Sequence, residues 1–222
     1  MLATLLVRCG QRPDAPADDK VYAVDSDAMT KAGLRRSILR ARREMSPDTH
    51  RAEAEALHRH LLALASAGTT LCTYAPVGSE PGSLETLDEL IAAGVRVLLP
   101  VAREVDGTPQ PLQWGEYRRE RLVEARFGLR EPAPPWLPPE SVGQAEVVCV
   151  PALAVDRSGV RLGRGAGFYD RSLHLASPTA ALVAVVRDGE LVEHIPGEAH
   201  DVPMTHALTP GLGLVRLGST ER

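Results

Sequence analysis

The earliest stretch with a clear period places Leu34, Ile38, Leu39 and Ala41 at helical spacing among Lys31, Arg35, Arg36, Arg40, Arg42 and Arg43. It predicts a helix over residues 31–44 with one apolar stripe and a strongly basic remainder. Ser46 followed by Pro47 joins an N-cap to the residue suited to the first helical position, and Leu57, Leu61, Leu62 and Leu64 carry a second helix toward Gly68. Residues 69–75 are an apolar run of buried-strand type. Ser83 then caps a third helix through Ala93, Gly94 ends it, and residues 95–101 predict the next apolar strand, completing a βαβ unit.

Residues 107–140 are rich in proline and glycine and read as a lid or insertion, with only 112–114 and 122–127 patterned as short strands. Beyond it, residues 146–150 and 180–186 predict strands, 167–175 a helix and 212–217 a last short strand. Alternation of strands and helices implies the α/β class, with a mostly parallel sheet covered on both faces and ligands at the carboxyl ends of its strands. Residues 1–30 follow neither period. Between Gln11 and Met29 they hold Pro13, Pro16 and five aspartates, and read as a loose acidic leader. Met29, just before the first helix, reads as an alternative start, so residues 31–222 are expected to form a single domain.

Composition narrows the class. Of 222 residues 44% are apolar and 24% charged, which excludes disordered, collagen-like and coiled-coil chains. No apolar run approaches the roughly 18 residues of a membrane span. A net charge of −4 argues against a nucleic-acid scaffold but leaves room for a local basic pocket that takes a small anion. Lys20 and Lys31 are the only lysines. Cys9, Cys72 and Cys149 lie far apart and read as small hydrophobes in a reducing compartment. The N-terminus lacks a basic region and a cleavage site for export, so a cytoplasmic location is expected.

The densest chemical signal lies in residues 150–171. Gly163, Gly165 and Gly167 alternate, and Phe168, Tyr169, Asp170 and Arg171 open the predicted helix. Alternating glycines let backbone amides approach an anion, and a helix N-terminus would add its dipole. The spacing is neither that of a P-loop nor that of the Rossmann fingerprint. Arg161, Arg164, Asp170 and Arg171 nearby point to an anion or magnesium-nucleotide site, a plain turn being the alternative. Glu80, between Gly78-Ser79 and Pro81-Gly82, is by its surroundings a turn carboxylate. Tyr74 stacks on a ligand or fills core, whereas Trp114 reads as core. His50, His58 and His60 lack companions arranged as metal ligands, and His200 beside Asp201 is more suggestive. Arg36, Arg40, Arg42 and Arg43 read as a solvated face.

The run with Pro151, Asp156, Arg161-Leu162-Gly163-Arg164-Gly165 and Gly167-Phe168-Tyr169-Asp170-Arg171 resembles the signature of the 5-formyltetrahydrofolate cyclo-ligase family, also called 5,10-methenyltetrahydrofolate synthetases. Lys31-Ala32-Gly33-Leu34-Arg35, residues 74–80, 127–132 and 200–203 resemble further family segments in the same order, so the likeness spans roughly residues 30–217. It implies a three-layer α/β/α sandwich and an ATP-dependent ring closure of 5-formyltetrahydrofolate to 5,10-methenyltetrahydrofolate, with Mg²⁺ and release of ADP and phosphate. Lys31 and Arg35 would meet the ATP phosphates. Arg161, Leu162, Gly163, Arg164, Gly165, Ala166, Gly167, Phe168 and Tyr169 would wrap the nucleotide, with Arg161 and Arg164 acting on the transferred phosphoryl. Glu80 and the loop from Arg164 through Gly165, Ala166 and Gly167 to Phe168 would contact the folate, and Asp170 and Asp201 would hold the metal. The implied partners are small molecules only, with no nucleic acid or membrane, and a monomeric chain.

This sequence departs from that pattern at Ala166, where family members carry lysine or glycine, and at Pro81, where an apolar residue is usual. Arg164 is placed to compensate in part for a missing lysine, although a rigid guanidinium does not replace an ammonium. These departures keep open a folate- or nucleotide-binding module without turnover. A different α/β enzyme, such as a sugar-phosphate isomerase, that uses the loop for a substrate phosphate is the other alternative.

Overall fold

The computed structural model describes residues 30–198 and 201–218, the side chain of Phe127 excepted. Three helices form where the pattern predicts them. Helix α1 (Lys31–Glu44) begins at Thr30, whose hydroxyl accepts from Gly33 N at 3.2 Å. Helix α2 (Pro47–Leu64) is capped by Ser46 with Pro47 at its start, and α3 (Leu84–Ala92) by Ser83. Gly94, at φ +82°, turns the chain out of α3.

The strands are β1 (Thr70–Cys72), β2 (Arg96–Val101), β3 (Glu104–Val105), β4 (Thr108–Pro109), β5 (Gln113–Glu116), β6 (Leu122–Glu124), β7 (Arg130–Pro132), β8 (Val147–Pro151), β9 (Ala154–Asp156), β10 (Arg161–Leu162), β11 (Ala181–Val185), β12 (Leu191–Val192), β13 (His206–Thr209) and β14 (Gly213–Arg216). Seven of them build the main sheet in the order β14-β13-β11-β8-β1-β2-β5. Its interior strands run parallel, and β5 and β14 close it as antiparallel edges. The mostly parallel sheet is therefore as expected.

Alternate side chains of the strands feed two cores, one on each face. On one face Leu57 and Leu61 of α2 and Leu87 and Leu90 of α3 pack on Leu71, Val97, Leu99, Val147 and Val183. On the other, Cys72, Leu98, Val148, Val150, Leu182 and Ala184 are covered by Val142 and Leu173, from the 3₁₀ turns Pro139–Gln144 and Leu173–Leu175, and by Met204. The sandwich thus has its three layers, one built of short turns where helices were expected. Leu34 of α1 packs on Leu153, Ala154, Leu162 and Ile195, around a small second sheet ordered β10-β9-β12.

Several expectations need correction. No α-helix occupies residues 167–175. The Ser172 hydroxyl donates to Phe168 O at 2.7 Å and accepts from Leu112 N at 2.8 Å, and the backbone N–H groups of Ser172 and Leu173 both turn to Tyr169 O. Those bonds close a local turn in place of a helical ladder. The stretch expected to be a lid or insertion is in part built into the main sheet, because β5 pairs with β2 and buries Trp114, while Trp114 and Leu137 exchange both backbone hydrogen bonds outside it. The strand expected over 122–127 stops at Glu124, and β3, β4, β7, β9, β10, β12 and β13 were not anticipated. In α1, Ala41 is exposed and Arg42 is buried, the reverse of the predicted stripe.

Cys72 and Cys149 are buried, and burial pushes the Cys149 thiol up to about 12, as befits inert core residues; Cys9 lies outside the described residues. Among the described residues no helix is long and apolar enough to cross a membrane.

The fully buried Asp156 organises the approach to the glycine loop. One carboxylate oxygen accepts from Ser158 N, Ser158 Oγ and Val160 N, and the other from Ile195 N. Gly159 follows at φ +98°, where a Cβ would stand 2.4 Å from Met204 O. Gly159→Ala is therefore expected to cost about 1–3 kcal/mol in urea denaturation. Gly189→Ala, with nothing within 4 Å, is expected to change stability by no more than about 0.5 kcal/mol.

Candidate active site

The site forms beside the carboxyl ends of β8 and β1, where α1, the loop after β10 and the loop after β1 meet. Arg35 of α1 donates Nε–H to Gly163 O at 2.9 Å. Arg161 folds back to pair with Asp170, Nη2 to Oδ1 at 2.6 Å, and lies 5.6 Å from the centroid of the Tyr169 ring. Gly163 leaves room for that arrangement, since a Cβ there would meet Arg161 Nη1 at 2.8 Å and displace the guanidinium. Gly165 and Gly167 take φ of +103° and +76°, a backbone suited to glycine. Arg171 donates to Gly167 O at 3.1 Å. Leu162 is buried against α1, while Arg164, Gly165 and Ala166 form the exposed crest.

Because no helix follows the loop, the positive potential expected from a helix dipole comes from Arg35, Arg161, Arg164 and Arg171 gathered round it. Phe168 and Tyr169 pack on the turn-covered core. The Tyr169 hydroxyl is buried without a hydrogen-bond partner, and burial pushes its pKa well up.

Glu80 lies in the loop after β1, mostly buried. Its Oε2 accepts from Val77 N at 3.2 Å, and its Oε1 stands 3.3 Å from Arg164 Nη2. The turn carboxylate and the glycine-loop arginine therefore touch. Pro81 directs its carbonyl to the Tyr74 hydroxyl at 2.7 Å, which makes Tyr74 a buried prop of this loop. Trp114 is core. On α2, His50 meets Glu80 O, His58 meets Thr86 and Glu89, and His60 meets Pro210 O, so these rings fasten neighbouring segments.

Lys31, four residues before Arg35 and on the same helix face, reaches Glu198 Oε1 at 2.8 Å and Asp201 Oδ2 at 3.5 Å. Burial pulls its pKa down, but the bond to Glu198 and the charges of Asp201 and Glu198 outweigh it and hold it above 10.5. The ion pair's contribution is thus fully present below that value and is lost only as pH rises through the raised one. Asp170 and Asp201 sit in separate pairs, with Arg161 and with Lys31. Among the described residues no three His, Cys, Asp or Glu side chains gather as a metal site. His200 lies outside the described residues.

One part of the site escaped the sequence reading. Arg42 forks onto Glu190, Nε to Oε1 and Nη2 to Oε2 both at 2.7 Å, and also donates to Ala152 O. Arg187 pairs with Glu53 at 2.7 Å and donates to Ser79 O at 3.1 Å, beside Glu80. All four charged side chains lie wholly or largely out of solvent.

Comparison with known proteins bears on this geometry. Residues 27–210 match the model of the 5-formyltetrahydrofolate cyclo-ligase family. The chain belongs to this family. The 5-formyltetrahydrofolate cyclo-ligase of Mycolicibacterium smegmatis is 59% identical over 189 residues, covering 85% of this chain and 97% of the relative. That of Escherichia coli K12 is 32% identical over 157 residues, 65% of this chain and 86% of the relative. The solution structure of Aquifex aeolicus 5,10-methenyltetrahydrofolate synthetase superposes with a TM-score of 0.70 at 26% identity, covering 87% of this chain and 95% of that one. The cyclo-ligase resemblance carried by the glycine loop is thereby established for most of the chain, and membership in an enzyme family of this fold with it.

Breaking the buried Arg42–Glu190 fork is expected to destabilise this region. Glu190→Ala strands the Arg42 guanidinium and leaves Arg187 N without its acceptor, and is expected to cost about 3–5 kcal/mol in chemical denaturation.

Proposed function

We propose that this chain closes 5-formyltetrahydrofolate to 5,10-methenyltetrahydrofolate at the expense of ATP. The observation that carries the reading is the meeting of Arg164 with Glu80, which joins the phosphate-suited loop to a carboxylate suited to the amino and N–H donors of a pterin.

The chemistry accounts for the residue types. A formyl oxygen is a poor leaving group, so it attacks the γ-phosphorus of ATP, the bond to the β–γ bridging oxygen breaks, and ADP departs. Nitrogen N10 then attacks the carbon of the resulting iminium phosphate, the proton on N10 passes to the phosphate, the C–O bond breaks, and hydrogen phosphate leaves with the former formyl oxygen. No covalent nucleophile on the protein is needed. What the chain supplies is position and charge. Arg161, held rigid by Asp170, and Arg164, exposed and free to swing from Glu80, are suited to the oxygens of the moving phosphoryl group. Lys31, kept charged by Glu198 and Asp201, and Arg35, fixed by Gly163 O, are suited to the phosphates of the nucleotide. Leu162 seats the loop, Gly163, Gly165, Ala166 and Gly167 offer backbone without bulky side chains, and Phe168 and Tyr169 wall the pocket. Glu80 orients the folate.

The acidic residues also fit Mg²⁺. Among the hydrogen bonds of the described residues Asp170 uses Oδ1 and Asp201 uses Oδ2, so each keeps a second oxygen for a hard cation that takes its remaining ligands from phosphates and water. Such an ion would neutralise phosphate charge. The alternatives of a binding module without turnover and of a sugar-phosphate enzyme become outcomes of the same test.

The test mixes the protein with 5-formyltetrahydrofolate and Mg-ATP and follows the near-ultraviolet absorbance of the methenyl product, omitting each component in turn. A rise that needs all of them is expected; binding without a rise points to the module. Lys31→Ala is expected to lower kcat/KM for ATP roughly tenfold to a hundredfold, by loss of a charged contact. Arg36→Ala, on the exposed side of α1, is expected to stay within about twofold of wild type. Equal losses would overturn the assignment of faces on α1.

A further inference from the structure

Arg187 accounts for only part of its hydrogen-bonding capacity. Its Nε–H meets Glu53, its Nη1 meets Ser79 O and stands 3.8 Å from Glu190 Oε1, and its Nη2 is buried with no partner. The side chain is 7% exposed, so solvent does not replace the missing acceptor. Buried donors of this kind are rare and call for an explanation. Besides Trp114 Nε1, the other such atom among the described residues is the Tyr169 hydroxyl. Arg187 neighbours the Glu80 turn, since it holds the carbonyl of Ser79.

A turn that carries a carboxylate at Glu80, and whose Ser79 carbonyl meets a guanidinium with a spare N–H, complements one particular edge. The pyrimidine ring of a pterin presents a carbonyl acceptor next to a ring N–H and an amino group. Glu80 offers acceptors for the donors, and both its oxygens keep lone pairs beyond Val77 N and Arg164. We propose that Arg187 is a folate-binding residue, its Nη2–H donating to the 4-oxo oxygen of the pterin whose donor groups face Glu80. The assignment rests on the cyclo-ligase reading above and adds a residue from the end of β11, outside the glycine loop. The Glu53 and Ser79 contacts then hold the guanidinium ready, and ordering costs are met before the folate arrives.

Equilibrium binding of 5-formyltetrahydrofolate and of its 4-amino-4-deoxy counterpart, without ATP, tests this directly. In the counterpart a donor stands where the acceptor was. Wild type is expected to prefer the 4-oxo compound roughly tenfold to a hundredfold, the range of a hydrogen bond to a charged group. Arg187→Lys keeps the charge facing Glu53 but lacks the second guanidinium nitrogen, and is expected to lose most of that preference while its affinity for a non-hydrolysable ATP analogue stays within about threefold. Should Arg187→Lys prove too unstable, Arg187→Gln combined with Glu53→Gln, which strands neither member of that pair, carries the same comparison. If the variant weakens both folates equally, or if wild type shows no preference while still producing methenyltetrahydrofolate, Arg187 only props the turn and the proposal falls alone. If wild type binds neither folate, the cyclo-ligase reading falls with it.

Discussion

Helix α1 contributes Lys31 and Arg35 to the site, yet Leu34 is its only buried apolar side chain among the described residues. What fastens it is the fork of Arg42 on Glu190, with Ala152 O as a further acceptor. Desolvating two charges costs about as much as their attraction returns, so a pair of this kind contributes more to geometry than to net stability. Its bonds have direction, and apolar contacts do not. The fork sets the axial position and rotation of α1, and so where an ammonium and a guanidinium stand over the glycine loop. Glu190 also accepts from Arg187 N, so the same carboxylate governs the residue that holds the Glu80 turn.

The glycine loop attracts anions by a different route from the one its spacing suggests. A helix dipole is fixed in the backbone and falls off within a turn. Here Ser172 closes the chain into turns, and side chains carry the charge. Arg161 is locked by Asp170, whereas Arg164 is exposed and its 3.3 Å contact with Glu80 is long. A rigid and a mobile cation on one loop suit a reaction in which charge moves between successive oxygens.

Much of this was legible in the residue pattern, and the omissions have physical causes. Helices α2 and α3 announced themselves through Ser46 with Pro47 and through Ser83, because caps are local chemistry, and α1 through the spacing of Leu34, Ile38 and Leu39. Strands β9, β10 and β12 did not, since two or three residues carry no period. Residues 167–175 look helical until Ser172 is known to meet Leu112 N, 60 residues away in the chain. Within the site, the glycines were found by their spacing and Lys31, Arg35 and Glu80 by their resemblance to a family pattern, and the structure joins Arg35 to Gly163 and Glu80 to Arg164. Arg42 was passed over because an arginine among arginines looks solvated, and Arg187 because a single arginine between Val186 and Asp188 forms no motif. Their partners Glu190 and Glu53 lie 148 and 134 residues away, a distance at which no local rule operates.

The rim of the main sheet has a bearing on how the chain behaves in a crowded solution. Outermost strand β5 exchanges two backbone hydrogen bonds with Leu137, and Pro132 lies so close over Gly115 that a Cβ there would meet it at 2.5 Å. At the far side β14 is a four-residue strand ending in Arg216. An unpaired strand edge is a template on which a foreign segment can grow. With one rim covered by its own chain and the other only four residues long and ending in Arg216, the edges of this sheet among the described residues offer little for cross-strand polymerisation.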